Sequence, residues 1–394
     1  MTRALDADSP SELNGDQARD KLEKEDAAMD AQKILSADSH VIEPADVWTS
    51  RIDRRFLDRA PRVVKHAGSR EGDFFVAEGL RPFPVAGFAV AGVDPRDFAE
   101  KMAGGYPGVR PSAWDPELRI KDQERDGVSG EVLYPSLGMR LFQMEDGELR
   151  AACFGAYNDW LADYCAHSPR RLAGVAMVSL DDPLEGVEEL RRAAKKGLRG
   201  AMIWGAAPAE RPYGDPSYDP FWAVAHDLGT PISLHILTER RGGSDFQSVM
   251  KSYPSLHHSV ERSLTEIIFG GVLERFPGLR LVSVENDIGW IPHFLQRLDH
   301  AYEKYRYLEK ETIANPPSYY FRRQVAATFQ DDRVGVVTRH FIGVNSLMWG
   351  SDFPHSDSTW PNSLEVIARD FEGVPDDERR LMTSDNVAKL YGFS

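Results

Sequence analysis

The chain has 394 residues, of which 42% are hydrophobic, and its formal net charge is −15. This hydrophobic content argues against global disorder and is enough for a sizeable core. The negative charge argues against nucleic acid or an anionic membrane surface as a partner, because both require a basic face.

The first 32 residues are predicted to form a flexible or helical arm. Charged residues and alanines alternate there, so the apolar run of a signal peptide is missing. No stretch of the chain reaches the roughly 18 uninterrupted apolar residues that a membrane span needs. We therefore expect a cytoplasmic protein with no membrane partner.

Residues 33–394 are expected to form one domain, in which the first strand covers 34–38. The following stretch, 45–112, is rich in Gly and Pro and has no regular alternation of strands and helices. Within it, 62–65 and 73–78 are predicted to form a β-hairpin. We interpret 45–112 as an insertion that forms a lid or an oligomer contact.

From residue 115 onward, predicted helices and strands alternate regularly. The predicted strands are 130–134, 172–178, 199–204, 231–236, 279–285, 324–329 and 346–350. They are apolar runs without two-residue alternation, as in strands that are buried on both faces. With strand one they make eight βα units, which predicts a (β/α)8 TIM barrel of the α/β class. An open doubly wound sheet is the competitor, but no Gly-x-Gly-x-x-Gly follows the first strand.

The long helix predicted over 147–166 carries both cysteines of the chain. Cys153 and Cys165 would lie about 18 Å apart along its axis, which is too far for a disulfide. The absence of a bridge fits a reducing compartment, and it directs the search for metal ligands away from thiolates.

In a TIM barrel the functional groups lie at the C-terminal ends of the strands, and polar residues occur at four of those ends here. They are Asp38 and His40 at strand one, His235 at strand five, Glu285 at strand six, and Asp352 and His355 at strand eight. Each alone is explained equally well as a core residue, a helix cap or a turn residue. Together, three carboxylates and several imidazoles at one end would repel each other and lose hydration without a cation. The joint pattern therefore indicates a metal centre.

These residues also carry a resemblance to a known family. Asp38-Ser-His40, His235 and Trp349-Gly-Ser-Asp352-Phe-Pro-His355 resemble motifs of the amidohydrolase superfamily. The similarity is to its amidohydrolase-2 branch, which contains the aminocarboxymuconate-semialdehyde and resorcylate-type decarboxylases. It spans the chain from about residue 34 to the C-terminus.

The resemblance implies that His40, His235 and Asp352 bind metal. Asp38 stands where the usual first histidine of the family lies, and a carboxylate ligand is acceptable there. Glu285 stands where the family often has a catalytic histidine, so it is expected to act as a metal ligand or general base. His355 is then the nearest imidazole for proton transfer. Glu43 is a further candidate for the surroundings of the site or for a second metal.

The charges of the ligand set suggest how many ions it would hold. Asp38, Glu285 and Asp352 contribute a formal charge of −3, so two divalent ions would bring the site close to neutrality. We therefore expect a binuclear centre, with a mononuclear one that leaves Glu285 as a free base as the alternative. Oxygen-rich ligation with some imidazole favours iron or manganese, with zinc as a further option. Whether His257 and His258 join the site is left open, because such a pair more often opens a helix in solvent.

The expected function is metal-dependent hydrolysis of an acyl bond of a small molecule, either an amide, an ester or a thioester such as a coenzyme A thioester. Glu285 would take the proton from metal-activated water, and His355 would assist the leaving group. One alternative is a non-oxidative decarboxylase of an aromatic carboxylate, and another is an inactive barrel that serves as a binding protein. Because barrels of this branch are commonly dimers, a homodimer is expected.

Overall fold

The structure is a computed structural model that describes residues 33–68, 70–239, 249–309 and 313–394. The predicted N-terminal arm, 1–32, lies outside the described residues. The strands, numbered in chain order, are β1 Leu35–His40, β2 Arg62–Ala67, β3 Arg70–Val76, β4 Phe83–Pro84, β5 Gly130–Tyr134, β6 Leu172–Met177, β7 Gly200–Ile203, β8 Ile232–His235, β9 Leu281–Val284, β10 Val325–Phe329 and β11 Leu347–Trp349.

Eight of these strands form the TIM barrel that the sequence predicts. They are parallel and follow the order β1-β5-β6-β7-β8-β9-β10-β11. The last strand returns to the first, since Asp352 N donates to the carbonyl of Asp38 at 2.8 Å and His40 N to that of Phe353 at 2.6 Å. All six residues of β1 are buried. This closure leaves the C-terminal ends of all eight strands on one face.

The helices pack around the barrel, and local sequence fixes their ends. Before the helix Pro116–Asp126, the Asp115 side chain accepts hydrogen bonds from Glu117 N and Leu118 N, and Gly127 ends that helix with a left-handed φ of 76°. The described helices are Val47–Arg51, Phe98–Ala103, Pro116–Asp126, Gly147–Ala166, Pro183–Lys195, Asp219–Leu228, Val249–Ser252, His258–Phe269, Val272–Arg275, Ile291–Tyr305, Pro317–Gln324, Arg333–Ile342, Ser363–Asp370, Asp376–Arg380 and Asn386–Tyr391. Within the described part of the chain, every helix is too short or too polar to cross a membrane.

The insertion after β1 contains more sheet than predicted. The expected hairpin is present as β2 and β3, and β4 adds a third antiparallel strand. Further along the insertion, the hydroxyl of Tyr106 donates a hydrogen bond to the backbone carbonyl of Glu43 at 2.7 Å. The insertion is therefore tied directly to the segment that follows β1, while its role as a lid or an oligomer contact stays a prediction.

Several details of the elements go beyond the sequence prediction. β1 runs on to His40, because Ser39 and His40 pair with Leu133 and Tyr134 of β5. Before β9 the chain forms two helices, His258–Phe269 and Val272–Arg275, which are separated at Gly271, whose φ of 70° is left-handed. The helix Pro317–Gln324 is absent from the prediction, and it is a short element that begins with a proline.

Candidate metal centre

The first strand presents two donors to the same side of the barrel. Asp38 and His40 are two residues apart on β1, and both are fully buried. Because side chains two apart in a strand point the same way, Asp38 Oδ1 lies 3.5 Å from His40 Nε2. The two side chains therefore lie side by side at the end of β1.

Three more donors from other strands meet this pair. His40 Nε2 lies 3.3 Å from Asp352 Oδ1 and 3.4 Å from Glu285 Oε2. His235 Nε2, at the end of β8, lies 3.2 Å from Glu285 Oε2 and 4.0 Å from Asp38 Oδ1. The structure thus brings the predicted ligands Asp38, His40, His235, Glu285 and Asp352 into one cluster at the C-terminal face.

The donor atoms of this cluster have the properties that a metal site requires. Each of the five atoms is buried and has no hydrogen-bond partner among the described residues. Leaving a buried polar atom unsatisfied costs about 1–3 kcal/mol, so five in contact call for a common partner. Two ligands about 2.1 Å from one ion and at right angles to each other are about 3.0 Å apart, and the separations here are close to that value. The residues present therefore fit a divalent metal.

The two imidazoles are already oriented for ligation through Nε2. His40 Nδ1 lies 2.8 Å from the carbonyl oxygen of Pro135, and His235 Nδ1 lies 3.0 Å from that of Ile236. A carbonyl accepts only, so these contacts assign the proton to Nδ1 in both rings and leave the Nε2 lone pairs facing the cluster. Thr328 orients one carboxylate in the same way, since its hydroxyl donates to Asp38 Oδ2 at 3.2 Å and leaves Oδ1 free.

The backbone is strained where two of the carboxylates leave their strands. Glu285 and Asp352 have left-handed φ angles of 57° and 54°, which residues other than glycine rarely adopt. Glu285 N donates a hydrogen bond to the Thr328 hydroxyl at 2.9 Å, which helps to hold this conformation. Such strain persists where the surrounding structure enforces it, and it is concentrated at functional sites.

Without a cation, the electrostatics of the cluster are unfavourable. Burial raises the pKa of Asp352 well above its usual value, and burial together with the nearby Asp352 raises the pKa of Glu285. Burial opposes the charged form of His40, but contacts with Asp38 and Glu285 hold the pKa of His40 well above its usual value. Protons would therefore gather here in the absence of metal, and a divalent ion supplies the same compensating charge.

His355 lies beside the cluster and stacks on His40. The ring centroids are 3.9 Å apart, His355 Nδ1 lies 2.9 Å from Asp352 Oδ1, and His355 Nε2 lies 2.8 Å from the hydroxyl of Ser136. Burial and the nearby His40 lower the pKa of His355 to about 3. The ring is therefore neutral, with Nδ1 facing Asp352 and Nε2 within hydrogen-bond distance of the Ser136 hydroxyl.

The remaining candidate residues lie outside the donor cluster. The carboxylate of Glu43 accepts hydrogen bonds from Leu137 N at 2.9 Å and Gly138 N at 2.8 Å. His257 and His258 group with Glu261 instead of the central donors, and His257 stacks on Trp290.

Two residues of the site are missing from the sequence prediction, Ser136 and Thr328. Ser136 follows the end of β5 and Thr328 lies near the end of β10, at the same barrel face as the donors. Their position is the signal that would have identified them, although serine and threonine are common at such places for other reasons.

The chain matches the model of a known protein family. The model of the amidohydrolase family matches residues 109–393. The chain belongs to the amidohydrolase family. Gamma-resorcylate decarboxylase of Rhodococcus jostii is 27% identical over 224 residues, which are 50% of this chain and 64% of that protein. The 2-amino-3-carboxymuconate-6-semialdehyde decarboxylase of Dictyostelium discoideum is 24% identical over 65% of this chain and 72% of its own length.

Solved structures share the fold of this amidohydrolase. An amidohydrolase of Mycobacterium avium subsp. paratuberculosis superposes with a TM-score of 0.74 at 23% identity, covering 91% of this chain and 99% of that one. A 5-carboxyvanillate decarboxylase of Novosphingobium aromaticivorans, in complex with manganese, has a TM-score of 0.67 at 17% identity, with 91% and 96% covered. These likenesses establish the barrel.

The prediction that this amidohydrolase cleaves an acyl bond with water is wrong, because three of its curated relatives are decarboxylases. That prediction depends on Glu285 replacing a histidine. In the structure Glu285 Oε2 lies inside the donor cluster, where a carboxylate serves as a ligand for either reaction. The identity of this residue therefore does not favour hydrolysis, and the thioester option falls with it.

Proposed function

We propose that this amidohydrolase is a metal-dependent, non-oxidative decarboxylase of an aromatic or related small carboxylate. One observation carries the proposal. Five buried donor atoms without partners face one another at the C-terminal face of a barrel whose curated relatives are decarboxylases. The same donors weigh against an inactive barrel that only binds, since they keep an unfavourable charge arrangement that a binding scaffold does not need.

We further propose that the centre holds one ion. The donors form two groups, Asp38-His40-His235 and His40-Glu285-Asp352-His355, which share His40. His40 Nε2 lies within 3.5 Å of three different carboxylate oxygens, so one ion beside this nitrogen would be close to both groups. Manganese is the favoured ion, because oxygen-rich ligation suits it and two decarboxylases of the same fold contain it. When bound, the ion would supply a Lewis acid that holds the substrate carboxylate and a neighbouring hydroxyl.

Glu285 is placed to deliver the proton that decarboxylation consumes. Its side chain is 14% exposed, whereas those of Asp38, His40, His235 and Asp352 are fully buried. Among the five donors it therefore has the one side chain that reaches solvent, so its carboxylate oxygen other than the ligating Oε2 is the one that takes up and passes on the proton. The proton forms a C–H bond at the ring carbon that carries the carboxylate. The C–C bond then breaks, its electron pair restores the aromatic ring, and CO2 leaves without any oxidant or water being consumed.

His355 acts through Asp352. Its Nδ1 lies 2.9 Å from Asp352 Oδ1 and its Nε2 lies 2.8 Å from the Ser136 hydroxyl, so the ring packs against one side of the carboxylate. This arrangement keeps Asp352 in place while the substrate enters and leaves. It assigns His355 a positioning role.

The test is a measurement of CO2 release by manganese-loaded protein from a panel of aromatic hydroxycarboxylates that includes 2,6-dihydroxybenzoate and 5-carboxyvanillate. Methyl esters and thioesters of the same acids serve as controls for hydrolysis. We expect CO2 from at least one acid, none after chelation, and none from Asp352→Asn. CO2 release that survives complete chelation, or cleavage of the esters with no CO2 from any acid, would overturn the proposal.

A further inference from the structure

The loop that follows β5 contacts both imidazoles of the stacked pair. Pro135 accepts from His40 Nδ1 at 2.8 Å through its carbonyl oxygen, and Ser136 Oγ lies 2.8 Å from His355 Nε2. His40 and His355 stack with ring centroids 3.9 Å apart. The loop thus binds the nitrogen of each ring that points away from the donor cluster.

The other half of this loop is held by a single buried carboxylate. Leu137 N donates to Glu43 Oε2 at 2.9 Å and Gly138 N donates to Glu43 Oε1 at 2.8 Å. Glu43, Leu137 and Gly138 are all buried, so no bulk solvent competes for these bonds. One carboxylate therefore fixes two consecutive peptide groups, directly after the two residues that hold the imidazoles.

The chemistry at this position explains why a carboxylate stands there. Two N–H groups point at it, and an ionised carboxylate offers two acceptor oxygens, whereas glutamine would offer one oxygen and turn an N–H donor towards a donor. Burying the charge is costly, and burial raises the pKa of Glu43 to about 7. This unfavourable burial occurs at a residue that contacts neither the donor cluster nor any described cation. We therefore infer that the carboxylate serves to position the loop.

Packing around Gly138 leaves no room for the loop to move towards Glu43. A Cβ built on Gly138 would lie 2.8 Å from Glu43 Oε1 and 2.9 Å from Met177 Cε. On the other side, the Tyr106 hydroxyl of the insertion donates to the Glu43 carbonyl at 2.7 Å. The position of Glu43 is therefore set by both the barrel and the insertion.

We propose that Glu43 is a positioning residue for the metal centre, and that it acts through residues 135–138 to orient His40 and His355. It fixes the loop by two backbone hydrogen bonds, and the loop fixes the tautomer and direction of the imidazole that ligates. Residues that orient metal-binding histidines typically change metal affinity 10–100-fold when they are removed. The inference rests on the proposed metal centre and is independent of which reaction occurs there.

The test measures Mn²⁺ affinity of chelated and reloaded protein at pH 8, by the electron paramagnetic resonance signal of free Mn²⁺. Glu43→Ala removes both acceptors, Glu43→Gln keeps one, and Gly138→Ala displaces the loop while leaving the carboxylate intact. We expect Glu43→Gln to weaken binding about tenfold and Glu43→Ala and Gly138→Ala to weaken it more, within the range for residues that orient ligands.

Asp115→Ala is the matched control, since Asp115 also accepts two backbone N–H bonds but caps a helix. It should lower the unfolding free energy and leave Mn²⁺ affinity unchanged. If Glu43→Ala fails to fold, Glu43→Gln and Gly138→Ala carry the test. Affinities within twofold of the wild type in the folded variants, or an equal loss in Asp115→Ala, would overturn the proposal. Because no substrate is present, failure here is distinguishable from failure of the proposed decarboxylation.

Discussion

At the scale of single residues, the site consists of donors with one free atom each and neighbours that fix their direction. His40 and His235 keep Nε2 free because a backbone carbonyl lies at Nδ1, and Asp38 keeps Oδ1 free because Thr328 donates to Oδ2. A metal centre therefore follows from the hydrogen bonds that are made as much as from those that are missing. The individual ligands should be indispensable for that reason.

We predict that Asp352→Asn and His235→Ala each lower metal-dependent activity at least about 100-fold, because each removes a metal ligand and its charge or lone pair. Asp182→Asn is the control, since Asp182 accepts a hydrogen bond from Leu184 N at the start of a helix and lies outside the cluster. Steady-state kinetics and far-UV circular dichroism check activity and fold. Full activity in either ligand variant would contradict the assignment of the site.

We predict that the buried carboxyl group of Glu43 makes the free energy of unfolding depend on pH. Its pKa is about 7 when folded and near 4.5 when unfolded, so the folded chain binds the proton more tightly. The contribution of the protonated carboxyl group to the free energy of unfolding is complete below pH 4.5. It is lost as the pH rises to 7, which lowers the free energy of unfolding by roughly 3 kcal/mol. Tyr106 and Tyr157 face this carboxylate and stay uncharged in that range, because burial raises the pKa of both.

The measurement is urea unfolding of chelated wild type and Glu43→Gln at pH 5 and pH 7.5. The wild type should gain stability relative to the variant at the lower pH. A difference between the two proteins that is independent of pH would show that Glu43 does not titrate in this range.

At the scale of elements, the junction between β1 and the loop after β11 depends on a buried ion pair. Arg119, on the helix Pro116–Asp126, binds Glu131 of β5 through Nε at 2.6 Å and Nη2 at 2.9 Å. Its Nη1 donates to the carbonyl of His40 at 2.8 Å. A helix, two strands and a residue of the donor cluster are thereby joined by one side chain.

We predict that Arg119→Met lowers the unfolding free energy by about 3–5 kcal/mol, since it leaves the Glu131 carboxylate buried without its cation. Arg192→Met is the control, because Arg192 binds Asp159 and Glu189 at the half-exposed surface, where ion pairs contribute about 0–1 kcal/mol. Urea denaturation of chelated protein compares the two. An equal effect of both substitutions would contradict a structural role for the buried pair.

The sequence predicts the barrel and the donors for a physical reason. Strands buried on both faces are continuous apolar runs, so Asp38, His235 and Glu285 are conspicuous at their ends. The hydrogen bonds that orient those donors cannot be predicted in the same way. Ser136 and Thr328 bond to residues that are far from them in the chain, and only the folded structure brings these residues together. The inference of hydrolysis from Glu285 was wrong, because the residue type alone does not reveal whether a carboxylate binds a metal or takes a proton.

At the scale of the whole molecule, the proposed metal centre lies where β1 and β11 close the barrel. Asp38 and His40 come from β1, and Asp352 follows β11, so an ion bound there would link the two ends of the sheet. Binding to the folded state alone stabilises it by mass action. The homodimer and the role of the insertion stay predictions.

We predict that Mn²⁺ at 100 times its dissociation constant raises the unfolding free energy of the chelated protein by about 2.7 kcal/mol. Asp352→Asn should lose this gain, while Asp182→Asn should keep it. Chemical denaturation with and without Mn²⁺ measures the difference. No change in the wild type at saturating Mn²⁺ would mean that the ion binds the folded and unfolded chains equally.

The most direct test of the account is a crystal structure of the manganese-loaded protein with anomalous scattering recorded at the manganese edge. We predict one strong anomalous peak per chain, within bonding distance of Asp38 Oδ1, His40 Nε2, His235 Nε2, Glu285 Oε2 and Asp352 Oδ1. Two peaks at this face, or a peak elsewhere with these atoms unligated, would contradict the single metal centre on which the proposed decarboxylation depends.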